Sequence, residues 1–172
     1  MALSLTGPRA FRDLLSATGY RFTVHRLPGV SFTVQSVNVP SLVLTSPGMP
    51  TPFINMPFAG DHIDYGELRL TYLVDEQIAN YLEVHDWLRA LGKPETFDEY
   101  AALHLEPGTG VASDCTLVVL DAKKNPAFVV SFREAVPVSL SELVFDSTTQ
   151  GVPYIPVTAT FRFQDFTISA AT

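Results

Sequence analysis

From Leu27 to Gly60 the chain carries no Asp, Glu, Lys, Arg or His, and six prolines interrupt that stretch among large apolar residues. Such a segment is too broken for a core helix or central strand and too apolar for a free loop. Pro40, Pro47, Pro50, Pro52 and Pro57 withhold backbone donors, which predicts an extended arm spanning about residues 40–60. Left in water, Leu42, Val43, Leu44, Met49, Phe53, Ile54, Met56 and Phe58 would each forgo about 1.5–3 kcal/mol. Together they rival the stability of a whole domain, so the arm is expected to seal against something. A neighbouring subunit is the expected surface; the alternative is an irregular loop folded over the chain's own core.

At 172 residues and 47% hydrophobic, the chain can bury one substantial core, and nothing in it reads as a linker. A single domain over residues 1–172 is expected. Abundant Phe, Tyr, Val and Thr, frequent Gly and Pro, and only short helical periodicities predict a mainly β fold with a flanking helix. The one cysteine, Cys115, excludes an intrachain disulfide and a multi-cysteine metal site. Residues 1–19 hold no sustained apolar run of the signal-peptide kind, and the only long uncharged segment is the proline-broken one, so no membrane partner is expected.

Charge is divided along the chain. Residues 1–60 carry four Arg against one acid, or +3, and residues 61–172 carry seven Lys or Arg against seventeen acids, or −10, which together give the net −7. A basic front and an acidic remainder suit head-to-tail association of copies, although an ordinary solvated acidic surface has the same composition. Lys and Arg are too scattered for a tight nucleic-acid binder.

Local patterns set further expectations. Arg9 to Ala17 predicts a short helix. Tyr20 to Leu27 and Val30 to Val37 both alternate, and Pro28-Gly29 between them predicts a β-hairpin. Leu68, Leu70, Tyr72 and Val74 share one face of a further strand. The clearest helix runs about 76–91, with Asp75 as N-cap, Gly92 and Pro94 as stop, and an apolar face of Ile78, Leu82, His85 and Leu88 flanked by Tyr81 and Trp87. A helical turn is expected at Phe97 to Leu103. Cys115 to Leu120 and Phe128 to Phe132 flank a polar hairpin tip. The longest strand is expected at Ile155 to Gln164, with Thr158, Thr160, Arg162 and Gln164 opposite its apolar face.

Catalytic patterns are weak. Asp61, His62 and Asp64 lie close together but lack a fourth ligand at a recognised metal spacing. His85 and Asp86 are adjacent on a helix, and His104 stands alone. Asp114 beside Cys115 disfavours a thiolate. No nucleophile elbow, phosphate loop or dinucleotide fingerprint is present. No enzyme activity, metal or cofactor is expected.

Taken in order, the segments resemble the tail tube proteins of contractile-tailed bacteriophages over nearly the whole chain. The residues that carry the resemblance are Leu27-Pro28-Gly29-Val30, Val34 to Pro40, the arm, Gly60-Asp61-His62-Ile63-Asp64-Tyr65, and Leu68 to Val74 running into Asp75-Glu76. Asn80 to Leu88 resembles the family's helix, and Ser113 to Leu120, Phe132 to Leu140 with Phe145-Asp146, and Val157 to Ile168 match its second half. The resemblance implies a β-sandwich or barrel core with a flanking helix. It also implies hexameric rings in which strands of every protomer join one inner β-barrel, and stacking of those rings into a hollow conduit for DNA ejection inside a contractile sheath. Closure into a barrel would remove exposed sheet edges. Implied partners are other copies, sheath, tape-measure and baseplate proteins, with DNA passing unbound. The implied location is the virion tail, assembled in the host bacterial cytoplasm. Candidate lumen-facing residues are Ser31, Thr33 and Gln35 on one strand and Thr158, Thr160, Arg162 and Gln164 on another.

Close variants are a baseplate-end tube initiator and a contractile injection system tube. From other classes come a small-ligand-binding β-barrel with the arm as its lid, and a hydrolase using Asp61, His62 or Asp64.

Overall fold

The computed structural model describes residues 15, 17–50, 53–94, 96–103, 110–148 and 154–171. The helix expected over Arg9 to Ala17 lies, but for Leu15 and Ala17, outside them, as does His104. In chain order the elements are β1 (Tyr20–Val24), α1 (Pro28–Thr33), β2 (Val34–Val37), β3 (Leu42–Leu44), β4 (Gly48–Pro50), β5 (Asn55–Pro57), β6 (Ile63–Tyr65) and β7 (Leu68–Leu73). They continue as α2 (Ala79–Gly92), α3 (Phe97–Leu103), β8 (Ser113–Leu120), β9 (Pro126–Leu140), β10 (Pro156–Arg162) and β11 (Asp165–Ala170). The fold is mainly β, as expected.

Seven strands form one antiparallel sheet in the order β1-β8-β9-β10-β7-β2, with β11 also on β9. Strand β9 belongs to two layers. Its residues 128–132 pair with both β8 and β11, and its residues 136–140 pair with β10. The change occurs at Glu134, where φ is +52 and the N–H donates to Asp114 Oδ1 at 3.0 Å. A register slip on β8 between Ser113 and Cys115 marks the bulge, the usual device for bending a strand from one layer into the next. Opposite this corner the Gln164 N–H donates to Arg133 O at 3.0 Å and separates β10 from β11. The longest strand is therefore β9, with fifteen residues, and the run expected from Val157 to Ile168 is cut in two.

The core lies between the layers, built from Phe22, Val24, Leu117, Val130 and Phe132 on one side and Leu68, Leu70, Tyr72, Val157 and Phe161 on the other. Helix α2 packs against α1, α3 and β9. Its buried residues are Asn80, Val84, Trp87 and Ala90, so the apolar face is rotated from the expected one, and Leu82 and His85 point outward. Spacing of four and three connects 80, 84, 87 and 90, a stripe that Trp87 dominates by size.

Two local expectations fail for identifiable reasons. Residues 28–33 are helical, so the hairpin of β1 with Val30–Val37 does not form: β1 pairs with β8, and β2 pairs with β7. Pro28 opens the helix with a preset φ, and Val30, fully buried, needs that turn to reach the core. Asp75 does not cap α2. Helix α2 starts after Ile78, held at φ +59, whose N–H donates to Asp75 O at 3.1 Å. The buried Asn80 side chain organises this turn, donating to Leu73 O at 2.8 Å and Thr33 Oγ1 at 3.0 Å and accepting from the Asp75 N–H at 3.3 Å. Its polar atoms are thus satisfied, which offsets a left-handed β-branched residue costing about 1–2 kcal/mol.

Candidate assembly surfaces

The arm is a twice-paired β-ribbon. Strands β3 and β6 pair Leu42 with Tyr65 and Leu44 with Ile63, and β4 and β5 pair Met49 with Met56 further out. Pro50 and Pro57 sit at strand ends, where a missing donor is tolerated. Ser46 Oγ donates to Phe58 O at 2.7 Å, and a Cβ at Gly60 would collide with the carbonyl oxygen of Thr45, so the two legs cross where only glycine fits. At the root, Tyr65 meets Phe163 and Phe166 edge-on, each at 5.7 Å, and both rings also contact Phe132. Beyond that root the ribbon does not fold back over its own core. Leu42, Val43, Leu44, Met49, Phe53, Ile54, Met56 and Phe58 are all exposed, Phe53 to 98%.

A second surface is formed by the layer of residues 136–140 of β9 with β10, β7 and β2. Each strand is antiparallel to its neighbour, so β2 runs opposite to β9. Among the described residues, no strand covers the outer side of β2 or of residues 136–140. Register slips at Gln35 and at Val138 give each edge one bulge, which discourages pairing with an arbitrary strand. The face of this layer away from the core is polar. Thr71 and Thr158 share a hydroxyl bond of 3.1 Å, and Glu67 lies 3.5 Å from the Arg69 guanidinium and 3.7 Å from that of Arg162. Thr160, cross-strand to Arg69 and Ser139, is recessed at 9% exposure.

The sequence-predicted lumen residues divide accordingly. Thr158, Thr160 and Arg162 share this face, Gln35 is exposed on the β2 edge, and Gln164 sits past β10 at the corner. Ser31 and Thr33 are not strand residues: they lie on α1. Ser31 Oγ accepts from the Val24 N–H and donates to Leu27 O, both at 3.2 Å, while Thr33 Oγ1 accepts from Asn80.

Other residues weighed for chemistry have structural surroundings. His62 and Asp64 form an exposed pair at 3.2 Å, and among the described residues no three His, Cys, Asp or Glu converge to hold a metal. His85 Nδ1 and Asp86 lie 3.0 Å apart at the surface. Glu83 accepts from the Gly29 N–H, yet burial raises its carboxyl above the ordinary range, with Asp75 adding to the shift. Burial, reinforced by Asp114, pushes the Cys115 thiol up to about 12. The native protein is therefore expected to resist thiol reagents in mildly alkaline buffer and to take one label per chain only in denaturant, read by intact mass. Labelling of the native state would show that β8 opens locally.

Sequence reasoning missed two clusters. The Arg26 guanidinium lies 5.3 Å over the Trp87 ring and donates to Gly110 O and Leu103 O, both at 3.0 Å, while Trp87 Nε1 donates to Val111 O at 3.1 Å. The second is the four-ring cluster at the arm's root. Neither has a local signal, since each joins residues far apart in sequence.

No protein-family model matches this sequence, and no curated protein matches it. Solved structures do. A chain in the cryo-EM structure of the anti-feeding prophage cap, its tube-terminating cap, aligns at TM-score 0.63 and 14% identity over 98% of this chain and 100% of that one. A chain of the sheath–tube complex of the PVC extracellular contractile injection system, in its extended state, aligns at 0.61 and 13% over 94% and 95%. A chain of the anti-feeding prophage baseplate aligns at 0.61 and 16% over 88% and 91%. At such low identity what is shared is architecture: over nearly its whole length, the chain has the fold of contractile injection system tube and terminator proteins, the tail-tube fold expected from its sequence.

Proposed function

We propose that this chain is a structural, non-catalytic subunit of the tube of a contractile phage-like tail, forming hexameric rings that stack into a hollow conduit. The observation that carries this reading is the pair of unpaired, oppositely running edges on one layer. Rotating a copy about an axis along the strands brings its residues 136–140 beside β2 of its neighbour in antiparallel sense. The alternation of the sheet then continues through every joint and closes without a free edge.

In such a ring the polar face of the layer lines the lumen. Glu67 between Arg69 and Arg162 tempers the positive charge offered to phosphates, which suits a wall that DNA passes without binding. Sheath, tape-measure and baseplate proteins are the further partners on this reading, and the tail of a virion is the location. The likeness to cap and baseplate chains as well as to a sheath–tube complex supports a second reading, a subunit placed at a tube end; elongation separates the two, because an end subunit forms rings that do not stack.

Negative-stain microscopy of the purified protein at rising concentration tests the proposal. Rings or tubes of uniform width are expected. Val138→Lys, at a 48% exposed position on the free edge, should leave the fold intact and yield monomers. Monodisperse wild-type monomers at every concentration would overturn the reading.

A further inference from the structure

Among the described residues outside the arm, the most exposed large apolar side chain is Phe32, at 92%. It stands near the end of α1, two residues before β2 begins, and at that exposure it contributes almost nothing to its own core. On the opposite flank of the same layer, a groove of about 470 Å³ opens where the chain leaves β9 and enters β10. Val144, Phe145, Tyr154 and Pro156 form its apolar lining, and Glu142 and Asp146 supply carboxylates. Phe145 is 75% exposed and Tyr154 74%. A groove of this size holds a small organic molecule, and hence a phenyl ring.

Cross-strand partners put Phe32 and the groove at the same end of the layer. Leu140 lies beside Ala159, Ala159 beside Leu70, and Leu70 beside Val37, one level that crosses the layer from edge to edge. Further along the strands, Val34 lies beside Tyr72 and Tyr72 beside Val157, and the Ser141 N–H, bonded to Thr158 O, brings Glu142 to that level. Beyond it the Val74 N–H donates to the carbonyl of Ile155, a residue of the groove. Rotating a copy about an axis along the strands keeps these levels, so the neighbour's Leu140 arrives beside Val37 and its Glu142 beside Val34. Phe32, two residues ahead of Val34, is thereby carried to the mouth of the neighbour's groove, around Val144 and Phe145.

The two surfaces also match in charge. No Lys or Arg occurs in residues 141–148 or 154–156, so two grooves brought together repel each other through Glu142 and Asp146. Phe32 belongs to the uncharged run from Leu27 to Gly60, and its entry sets no carboxylate against another and buries no charge of its own. Strand β2 has only four residues, and the backbone bonds of two edges are equivalent after a slip of two residues, so edge pairing alone leaves the joint free to shift. An aromatic side chain in a pocket admits one register. We infer, on the tube reading, that Phe32 is the lateral anchor of the ring: its phenyl ring seats in the groove lined by Val144, Phe145 and Tyr154 of the next copy in the same ring and fixes the register in which β2 meets that copy's β9 edge.

Substitution at so exposed a site leaves the fold intact, so assembly reads the contact directly. Phe32→Ser should keep the circular dichroism and Tm of the native chain but raise the concentration at which rings form by about tenfold or more, with monomers below it. Phe32→Leu, which keeps most of the apolar surface, should form rings within about threefold of the wild-type concentration. A serine variant that forms rings as readily as the wild type would overturn the anchor, and one that forms rings which fail to stack would place Phe32 between rings and overturn the lateral assignment. A benzophenone-bearing phenylalanine analogue at position 32, irradiated in the assembled protein, should join that position to residues 142–146 or 154–156 of another chain, mapped by mass spectrometry. The same sample should give a denaturing-gel ladder that ends at the ring's own subunit number. Links to any other segment, or none, would overturn the seat and spare the tube reading; wild-type protein that never assembles would overturn both.

Discussion

Removal of residues 47–58, with Ser46 joined to Ala59 through a two-residue turn, is expected to leave a folded chain that does not polymerise. The excised ribbon pairs with itself through β4 and β5, and its apolar side chains contribute nothing to the buried core. The arm's root stays, because β3, β6 and the contacts of Tyr65 with Phe163 and Phe166 lie outside the deletion. Far-UV circular dichroism should keep its β signature, and Tm should move by no more than a few degrees. Assembly should be lost, since a subunit contact built on the five large apolar side chains removed, Met49, Phe53, Ile54, Met56 and Phe58, each contributing about 1.5–3 kcal/mol on burial, accounts for most of a micromolar to nanomolar affinity. Microscopy and sedimentation give the answer together: long tubes from the deleted chain would show that the arm is dispensable for assembly.

Trp87→Ala is expected to produce the largest loss of stability of any single substitution in the chain. Trp87 is 3% exposed, lies 6.2 Å from the Phe161 ring of β10 and carries the Arg26 guanidinium on its face. Truncation opens a cavity between α2 and the sheet and costs about 3–5 kcal/mol. At this chain length 1 kcal/mol moves Tm by about 2–4 °C, so Tm should fall by about 6–20 °C. Trp87→Phe keeps most of the volume but leaves Val111 O without its donor, for a smaller loss of about 1–3 kcal/mol. Denaturant unfolding followed by circular dichroism measures both. A loss below about 1 kcal/mol for Trp87→Ala would mean that α2 contributes little to the core.

These effects show which parts of the fold the sequence announces. Alternation over Tyr20 to Val24, Leu68 to Leu73 and Cys115 to Leu120 is strong because each strand has one face on the core. The arm is legible through its prolines and its lack of charge, which describe a segment that packs on nothing of its own. What escapes is what period-2 patterning misreports. Val30, Phe32 and Val34 alternate like a strand, but only Val30 is buried, and Pro28 decides for a helix; Phe32 is left outside. Alternation also runs on through Phe161 and Phe163, hiding the break at Gln164, while Arg133-Glu134 interrupts it within β9 and hides that strand's continuity. Corners of this kind are set by bonds such as Glu134 N–H to Asp114, between residues twenty positions apart, and no local window contains both. Of the proposed surfaces, the arm residues were legible. The free edges were not, because they are defined by which strands have a neighbour.

The pairing of β1 with β8 links residues 20–24 to residues 115–119. Contacts so remote along the chain slow folding toward the millisecond-to-second range typical of such topologies. They also set an order of events during synthesis. The edge at residues 136–140 becomes part of a layer only after residues 156–162 have emerged from the ribosome to pair with it. A chain synthesised short of residues 156–162 thus displays its apolar ribbon but lacks the completed edge, so on the proposed tube reading it cannot yet join a ring.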